Sequence, residues 1–174
     1  MTVSPASPML HVDDRDRIGQ EFRTVLGHFC TGVVIVTALD AEGGPVGMTV
    51  GSFTSVSLDP PLVGFFAGQS STTLPHITAA GSFCVNVLAE HQNELARSFA
   101  RSGADKFGDV DWHRARGGSP RLSEAHAWID CTLHDGRPYG DHDLIVGEVV
   151  GLSLPVSNPP LVFHQAKFHG LREL

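Results

Sequence analysis

The spacing of apolar positions changes period several times along the chain, and each change marks an element. Ile18, Phe22, Val25, Leu26 and Phe29 fall at spacings of 4, 3, 1 and 3, a single apolar stripe at the helical period. Asp13 or Asp14 is placed to cap this helix, and Gly32 follows its end. The β-branched run from Val33 to Ala38 then predicts a central strand. Asp40–Pro45 reads as a hairpin turn, because its glycines supply positive φ and its proline restricts φ. A second strand is expected over Val46–Thr54. Asp59-Pro60-Pro61 interrupts the pattern before a third over Leu62–Phe66.

Further along, Thr73–Ala80 suits a short helix stopped by Gly81, and Phe83–Leu88 is another strand. Glu90–Ala100 reads as a helix with Leu95, Ala96 and Phe99 on one face. Residues 101–126 are polar, Gly-rich and irregular, and a segment of that length in a compact domain points to function. Strands resume at Ala127–His134 and Leu144–Leu154, joined by Asp135–His142, and end at Leu161–His164 and near Phe168. About seven strands joined by hairpin-length turns, with two or three helices beside them, predict a mainly β fold: an antiparallel barrel with peripheral helices. Residues 1–12 lack a periodic pattern and are expected to be a mobile tail, leaving 13–174 as one domain.

Composition narrows the function. With 41% hydrophobic and 18% charged residues, the 174-residue chain is globular in make-up and large enough to bury a core without disulfide or metal staples. Its formal charge of −7 and lack of any basic run argue against nucleic acid or an anionic membrane as partner. The start carries no secretory pattern and no stretch has the length of a membrane span, so a cytoplasmic location is expected. Cys30, Cys84 and Cys131 each sit in an apolar run and read as buried thiols in a reducing compartment. The ten histidines are scattered, and neither H-E-x-x-H nor C-x-x-C occurs, so no metal is expected. A dinucleotide fingerprint, a phosphate loop and a G-x-S-x-G nucleophile elbow are likewise missing.

Three polar segments remain. Gly47–Ser57 is a strand rich in glycine and hydroxyls; it fits close backbone approach to a ligand as well as an edge strand facing water. Gln69–Thr73 lies between a strand and a helix, where Ser and Thr either cap the helix or help hold an anion. Gly140-Asp141-His142-Asp143 precedes a strand; His142 there is either a solvated turn residue or faces a ligand.

Taken in order, five blocks of the sequence resemble the short flavin reductase family, the reductase components of two-component flavin-dependent monooxygenases. Phe22–Val33 resembles the family's opening helix and first strand, and Gly47–Leu62 its flavin-binding strand and turn. Phe83–Leu88, Asp105-Lys106-Phe107 and Gly140-Asp141-His142 complete the set. The resemblance runs from about Phe22 to Leu171. It implies a split β-barrel of Greek-key type and a homodimer with flavin near the subunit interface. By the same resemblance Gly32, Val33, Met48, Thr49, Val50, Gly51, Ser52 and Ser55 contact the flavin. Ser70, Ser71, Thr72 and Lys106 lie towards its phosphate, and Phe107 lines the pocket. Gly51 departs from the family, whose members often carry a polar residue or Ala there, which leaves its backbone amide to serve.

The implied activity is reduction of FMN or FAD by NADH or NADPH, with NADH favoured because no arginine cluster marks a 2′-phosphate. The reduced flavin would then pass to a partner flavin-dependent monooxygenase. Hydride passes between the two cofactors, so the protein supplies orientation and electrostatics, and His142 would position the nicotinamide. A non-catalytic flavin carrier or sensor shares these features. So does a related split-barrel oxidase acting on a phosphorylated vitamer, although that would call for a more basic phosphate site than 12 Lys and Arg residues suggest.

Overall fold

The computed structural model describes residues 15–103, 105–154 and 158–172. The tail expected over 1–12 and the cap at Asp13 or Asp14 lie outside them.

The chain runs as helix α1 (Arg15–Leu26) and strands β1 (Thr31–Gly32), β2 (Val34–Leu39), β3 (Pro45–Val50), β4 (Thr54–Leu58) and β5 (Pro61–Gly68). Helix α2 (Leu74–Ala80), β6 (Ser82–Val87), a 3-10 turn at Glu90–Gln92 and α3 (Asn93–Ala100) follow. Then come β7 (Trp112–Arg114), β8 (Pro120–Leu122), β9 (Ala127–Tyr139), β10 (His142–Ser153), β11 (Leu161–His164) and β12 (Lys167–Gly170). Seven strands form one antiparallel sheet in the order β3-β2-β6-β9-β10-β5-β4, beside a three-stranded sheet β1-β11-β12 and the hairpin β7-β8.

Consecutive strands β3 and β4 stand at opposite edges of the large sheet. Laid flat, six inter-strand steps would hold those edges about 29 Å apart. The link from Val50 to Thr54 reaches at most about 14 Å. The sheet must therefore curl until its edges meet, leaving a barrel split along the β3–β4 seam. Ser52 anchors the crossing segment to β5: its hydroxyl accepts the Phe66 N–H at 2.9 Å and donates to the Phe66 carbonyl at 3.0 Å, in line with the β4–β5 register. The single strand expected over Val46–Thr54 is consequently two, broken at Gly51–Phe53 where the chain crosses from one edge to the other.

Strand β2 is buried on both faces, which explains its β-branched run. Val34, Val36 and Ala38 face the barrel interior with Phe65, Phe83 and Ile145, closed at one end by Leu74 and Ile77 of α2. Val33 and Ile35 face outward into a second core with Leu88, Phe99 and Leu122. Polar groups in this wall are paired: Asn86 Nδ2 donates to the Ile35 carbonyl and Asn86 Oδ1 accepts the Leu122 N–H. Helix α2 ends as expected at Gly81, whose φ of 67° is left-handed.

Three expectations change. Residues 101–126 contain β7 and β8, and most of the connector 135–142 continues as strand. Only Gly140-Asp141 remains as the turn between Tyr139 and its partner His142. Cys84 and Cys131 are buried, but Cys30 is exposed, because it follows Phe29 in the exposed segment between α1 and β1 and the core begins only at Val33. Phe22, Val25, Leu26 and Phe29, the apolar stripe of α1 and its following turn, are also exposed, so none of the described residues covers that face. Among the described residues no helix is long and apolar enough to cross a membrane.

Candidate functional site

Two adjoining cavities lie along β3. The one beside Met48 and Thr49 has a volume of about 200 Å³ and is walled by Gly68, Ser70, Ser71 and Thr72 on one side, and by Phe99, Arg101 and Ser102 on the other. A second, of about 270 Å³, lies beside Pro45, Val46 and Gly47, with His76, Asp105 and Phe107 around it. Thr72, Thr73 and Lys106 border both. The groove is thus formed by a strand edge, the loop before α2, the C-terminal end of α3 and the turn at 105–107.

Packing under the groove depends on Gly47. A Cβ there would lie 2.7 Å from Cε1 of Phe99, well inside contact distance, so only glycine lets α3 come this close to β3. Phe99 is buried and meets Phe107 edge to face at 4.9 Å. The Thr49 hydroxyl donates to the Ala96 carbonyl at 2.7 Å, a second tie between strand and helix. Lys106 spans the groove: its Nζ donates to the carbonyls of Gly47 at 3.0 Å and Phe99 at 3.1 Å. Partial burial pushes the Lys106 ammonium below its usual pKa of 10.5. Two of its three N–H groups are committed, leaving one for a ligand.

Of the residues expected to bind flavin, Met48, Thr49, Ser70, Ser71, Thr72, Lys106 and Phe107 line this groove. Ser71 also caps α2, its hydroxyl accepting the N–H groups of Thr73 at 3.3 Å and Leu74 at 3.2 Å, so capping and ligand proximity coexist there. Gly51 and Ser52 are exposed at the split in the barrel, and Ser55 is exposed on β4. A Cβ on Gly51 would meet only Thr31 Oγ1, at 3.3 Å. Gly32 is exposed on β1, with open space where a Cβ would stand. The structure does not bring Val33 and Val50 into the groove. Both side chains are buried, and Val33 uses its N–H and carbonyl on Leu161 and Leu88.

His142 opens β10 opposite Gly68, which lines the smaller cavity. Its Nδ1 lies 2.7 Å from Asp141 Oδ1, and as the carboxylate can only accept, Nδ1 carries the proton. That leaves Nε2 free, 3.9 Å from the Cβ position of Gly68. The imidazole in turn holds the Asp141 carboxyl below its usual range, through their hydrogen bond and charge. Asp143, one residue on, accepts from Gln69 Nε2 at 3.0 Å, and the Gln69 N–H bonds the Asp141 carbonyl. The turn at 140–143 is therefore locked to the loop that borders the groove.

Sequence reasoning missed Pro45, Val46, His76 and Arg101, and gave Asp105 no role although it stands in the Asp105-Lys106-Phe107 block. For Arg101 the length of the polar segment it opens was the available signal; a hairpin proline and an exposed helical histidine carry none. Among the described residues no cluster of His, Cys, Asp or Glu has the geometry to hold a metal ion.

Comparison with known proteins matches residues 26–172 to the family described as flavin reductase like domain. A flavin reductase from Pseudomonas putida is 45% identical over 151 residues, covering 87% of this chain and 89% of its own. The reductase subunit HsaB of a flavin-dependent monooxygenase from Rhodococcus jostii is 43% identical over 152 residues, 87% of this chain and 77% of that protein. The crystal structure of nitrilotriacetate monooxygenase component B from Mycobacterium thermoresistibile superposes with a TM-score of 0.87 at 41% identity, covering 91% of this chain and 89% of that one. A split barrel with its groove along β3, matched over nearly its whole length to such relatives, belongs to the flavin reductase-like family.

Proposed function

We propose that this chain is an NAD(P)H-dependent flavin reductase that supplies reduced flavin to a partner monooxygenase. The observation that carries the reading is the polarity of the groove. Hydroxyls of Ser70, Ser71 and Thr72 and the cations of Arg101 and Lys106 gather beside Met48 and Thr49. The exposed backbone of Gly51-Ser52 lies farther along the same chain direction. A ligand with an anionic tail and a flat, uncharged head fits that order, so the residues present suit a flavin. A bound flavin would supply the two-electron acceptor for hydride from the reduced nicotinamide, and the residues of the groove would hold it.

The protein's part is to hold and orient. Lys106 and the hydroxyls fix the phosphate end, and the glycine at 51 leaves room for a ring to approach the backbone. His142, with Nε2 free and Nδ1 held by Asp141, is placed to accept a hydrogen bond from the nicotinamide amide and so set the angle of approach. The apolar face of Phe22, Val25, Leu26 and Phe29, left open by the described residues, supports a homodimer, since each side chain buried against a second copy would contribute about 1.5–3 kcal/mol. A cytoplasmic location and NADH as preferred donor complete the reading.

The test is flavin-dependent oxidation of NADH and NADPH, with FMN and FAD in all four pairings, followed by loss of the reduced nicotinamide absorbance. Folded, flavin-binding protein that turns over no pairing would be a carrier instead. Light scattering reports whether the chain is a dimer.

A further inference from the structure

The groove does not stop at the cations. Beyond Lys106 it opens into the larger cavity, of about 270 Å³, beside Pro45 and Val46. Three zones therefore follow one another along a single stretch of chain: the exposed Gly51-Ser52, the hydroxyl-rich cavity at Met48-Thr49, and the cavity at Pro45–Gly47. From Gly51 to Pro45 the extended chain covers about 20 Å. A ligand whose head lies at the first zone and whose first phosphate lies at the second has the third still ahead of it.

Chemistry changes with the zone. The cationic side chains bordering the groove, Arg101 and Lys106, lie at the second zone and at the boundary. Past that boundary the wall is Pro45, Val46 and the Phe107 ring, with His76 and the Asp105 carboxylate as its polar groups. Asp105 is held in place because its Oδ1 accepts the Phe107 N–H at 3.1 Å. A carboxylate accepts and does not donate, so it suits hydroxyls or an exocyclic amine. It opposes a terminal phosphate monoester, which carries a charge of about −1.5 to −2 near neutrality. Lys106, with a single N–H left over, is poorly matched to such a dianion.

We infer that the cavity of Pro45, Val46, His76, Asp105 and Phe107 holds the adenylate half of FAD, and that the chain binds FAD in preference to FMN. Each phosphate of the FAD diphosphate carries one charge, and the group that follows it is a neutral ribose and purine. The ribose hydroxyls or the adenine amine donate to Asp105, and the purine lies against the apolar wall. The inference rests on the flavin reading above, and it adds the part of the ligand that the larger cavity takes.

The experiment measures dissociation constants of FAD, FMN and riboflavin by flavin fluorescence on the full chain, repeats them on Asp105→Asn, and adds AMP as a competitor. Asparagine keeps an oxygen for the Phe107 N–H while removing the charge. FAD is expected to bind at least tenfold more tightly than FMN. Asp105→Asn should narrow that ratio at least threefold, chiefly by tightening FMN, and AMP should displace FAD without weakening riboflavin. Equal affinities for FAD and FMN would overturn the inference while leaving the flavin reading intact. An FAD preference that neither Asp105→Asn nor AMP alters would place the adenylate elsewhere and overturn it too. Folded wild-type protein that binds no flavin would remove the functional reading, and this inference with it.

Discussion

The Lys106 ammonium reaches the backbone carbonyl of Gly47 at 3.0 Å and bridges 59 residues of sequence. Through its second bond, to the Phe99 carbonyl, it joins β3, the end of α3 and the 105–107 turn into one wall. The same side chain is thus a structural strap and the cation nearest the middle of the groove.

Lys106→Met keeps the stem and removes both bonds. A fall in stability of about 1–3 kcal/mol is expected from the lost charged donors. Flavin affinity should fall as well, because the wall and the cation go together. Thermal unfolding and flavin titration read the two effects separately, and unchanged affinity in a folded variant would deny Lys106 a place at the ligand.

Burial lowers the Lys106 pKa from 10.5, so this ammonium loses its proton at lower pH than an exposed lysine. An anionic ligand binds better to the protonated form. Affinity for flavin phosphate should therefore hold at neutral pH and decline as pH rises through the lowered pKa, beginning below 10.5. The stability effect has the opposite sign. In the window between the folded pKa and 10.5 the unfolded chain binds more protons, so the cost of burying the charge is relieved as pH rises. Titrating flavin affinity against pH checks the first sign; riboflavin, lacking phosphate, should show a weaker decline.

His142→Ala separates a turn residue from a nucleotide contact. A solvated histidine would tolerate the change within about 0.5 kcal/mol and leave kinetics alone. A contacting imidazole should cost about two- to tenfold in kcat/KM for the nicotinamide nucleotide, the worth of one hydrogen bond. Flavin affinity should stay nearly constant. Steady-state kinetics with flavin titration decide, and an equal loss of both would place His142 on the flavin side.

Gly51→Val puts a branched side chain at the split in the barrel, where a Cβ would already come within 3.3 Å of Thr31 Oγ1. Gly51 is exposed, so the fold should tolerate it better than the ligand does. Weaker flavin binding with a small change in Tm is the expected result. Unchanged affinity in a folded variant would remove Gly51 from the platform.

The three cysteines should react in two classes. Burial, reinforced by Asp130, pushes the Cys84 and Cys131 thiols up to about 12, whereas Cys30 is exposed. A thiol reagent near neutral pH should label one cysteine quickly in the native protein and all three after denaturation. Mass spectrometry of the labelled chain identifies the site.

Where a residue's neighbours follow from local period, the sequence was sufficient. The run Val33–Ala38 reads as a central strand because both its faces are buried, and Gly81 reads as a helix stop because only a left-handed residue ends α2 there. The α1 stripe was also legible as a helix, but period says that a face is apolar and not what covers it; here none of the described residues does. The break at Gly51–Phe53 was hidden, since Val46–Thr54 has the composition of one strand and is divided only because the curled sheet sets its halves on opposite edges. The groove was half visible: its hydroxyls and Lys106 stood out, whereas Pro45, His76, and Arg101 with Asp105 come from three separate segments and meet only when α3 packs on β3. That meeting depends on the missing Cβ at Gly47 and on one lysine reaching across 59 residues, and no local pattern encodes a contact between positions so far apart.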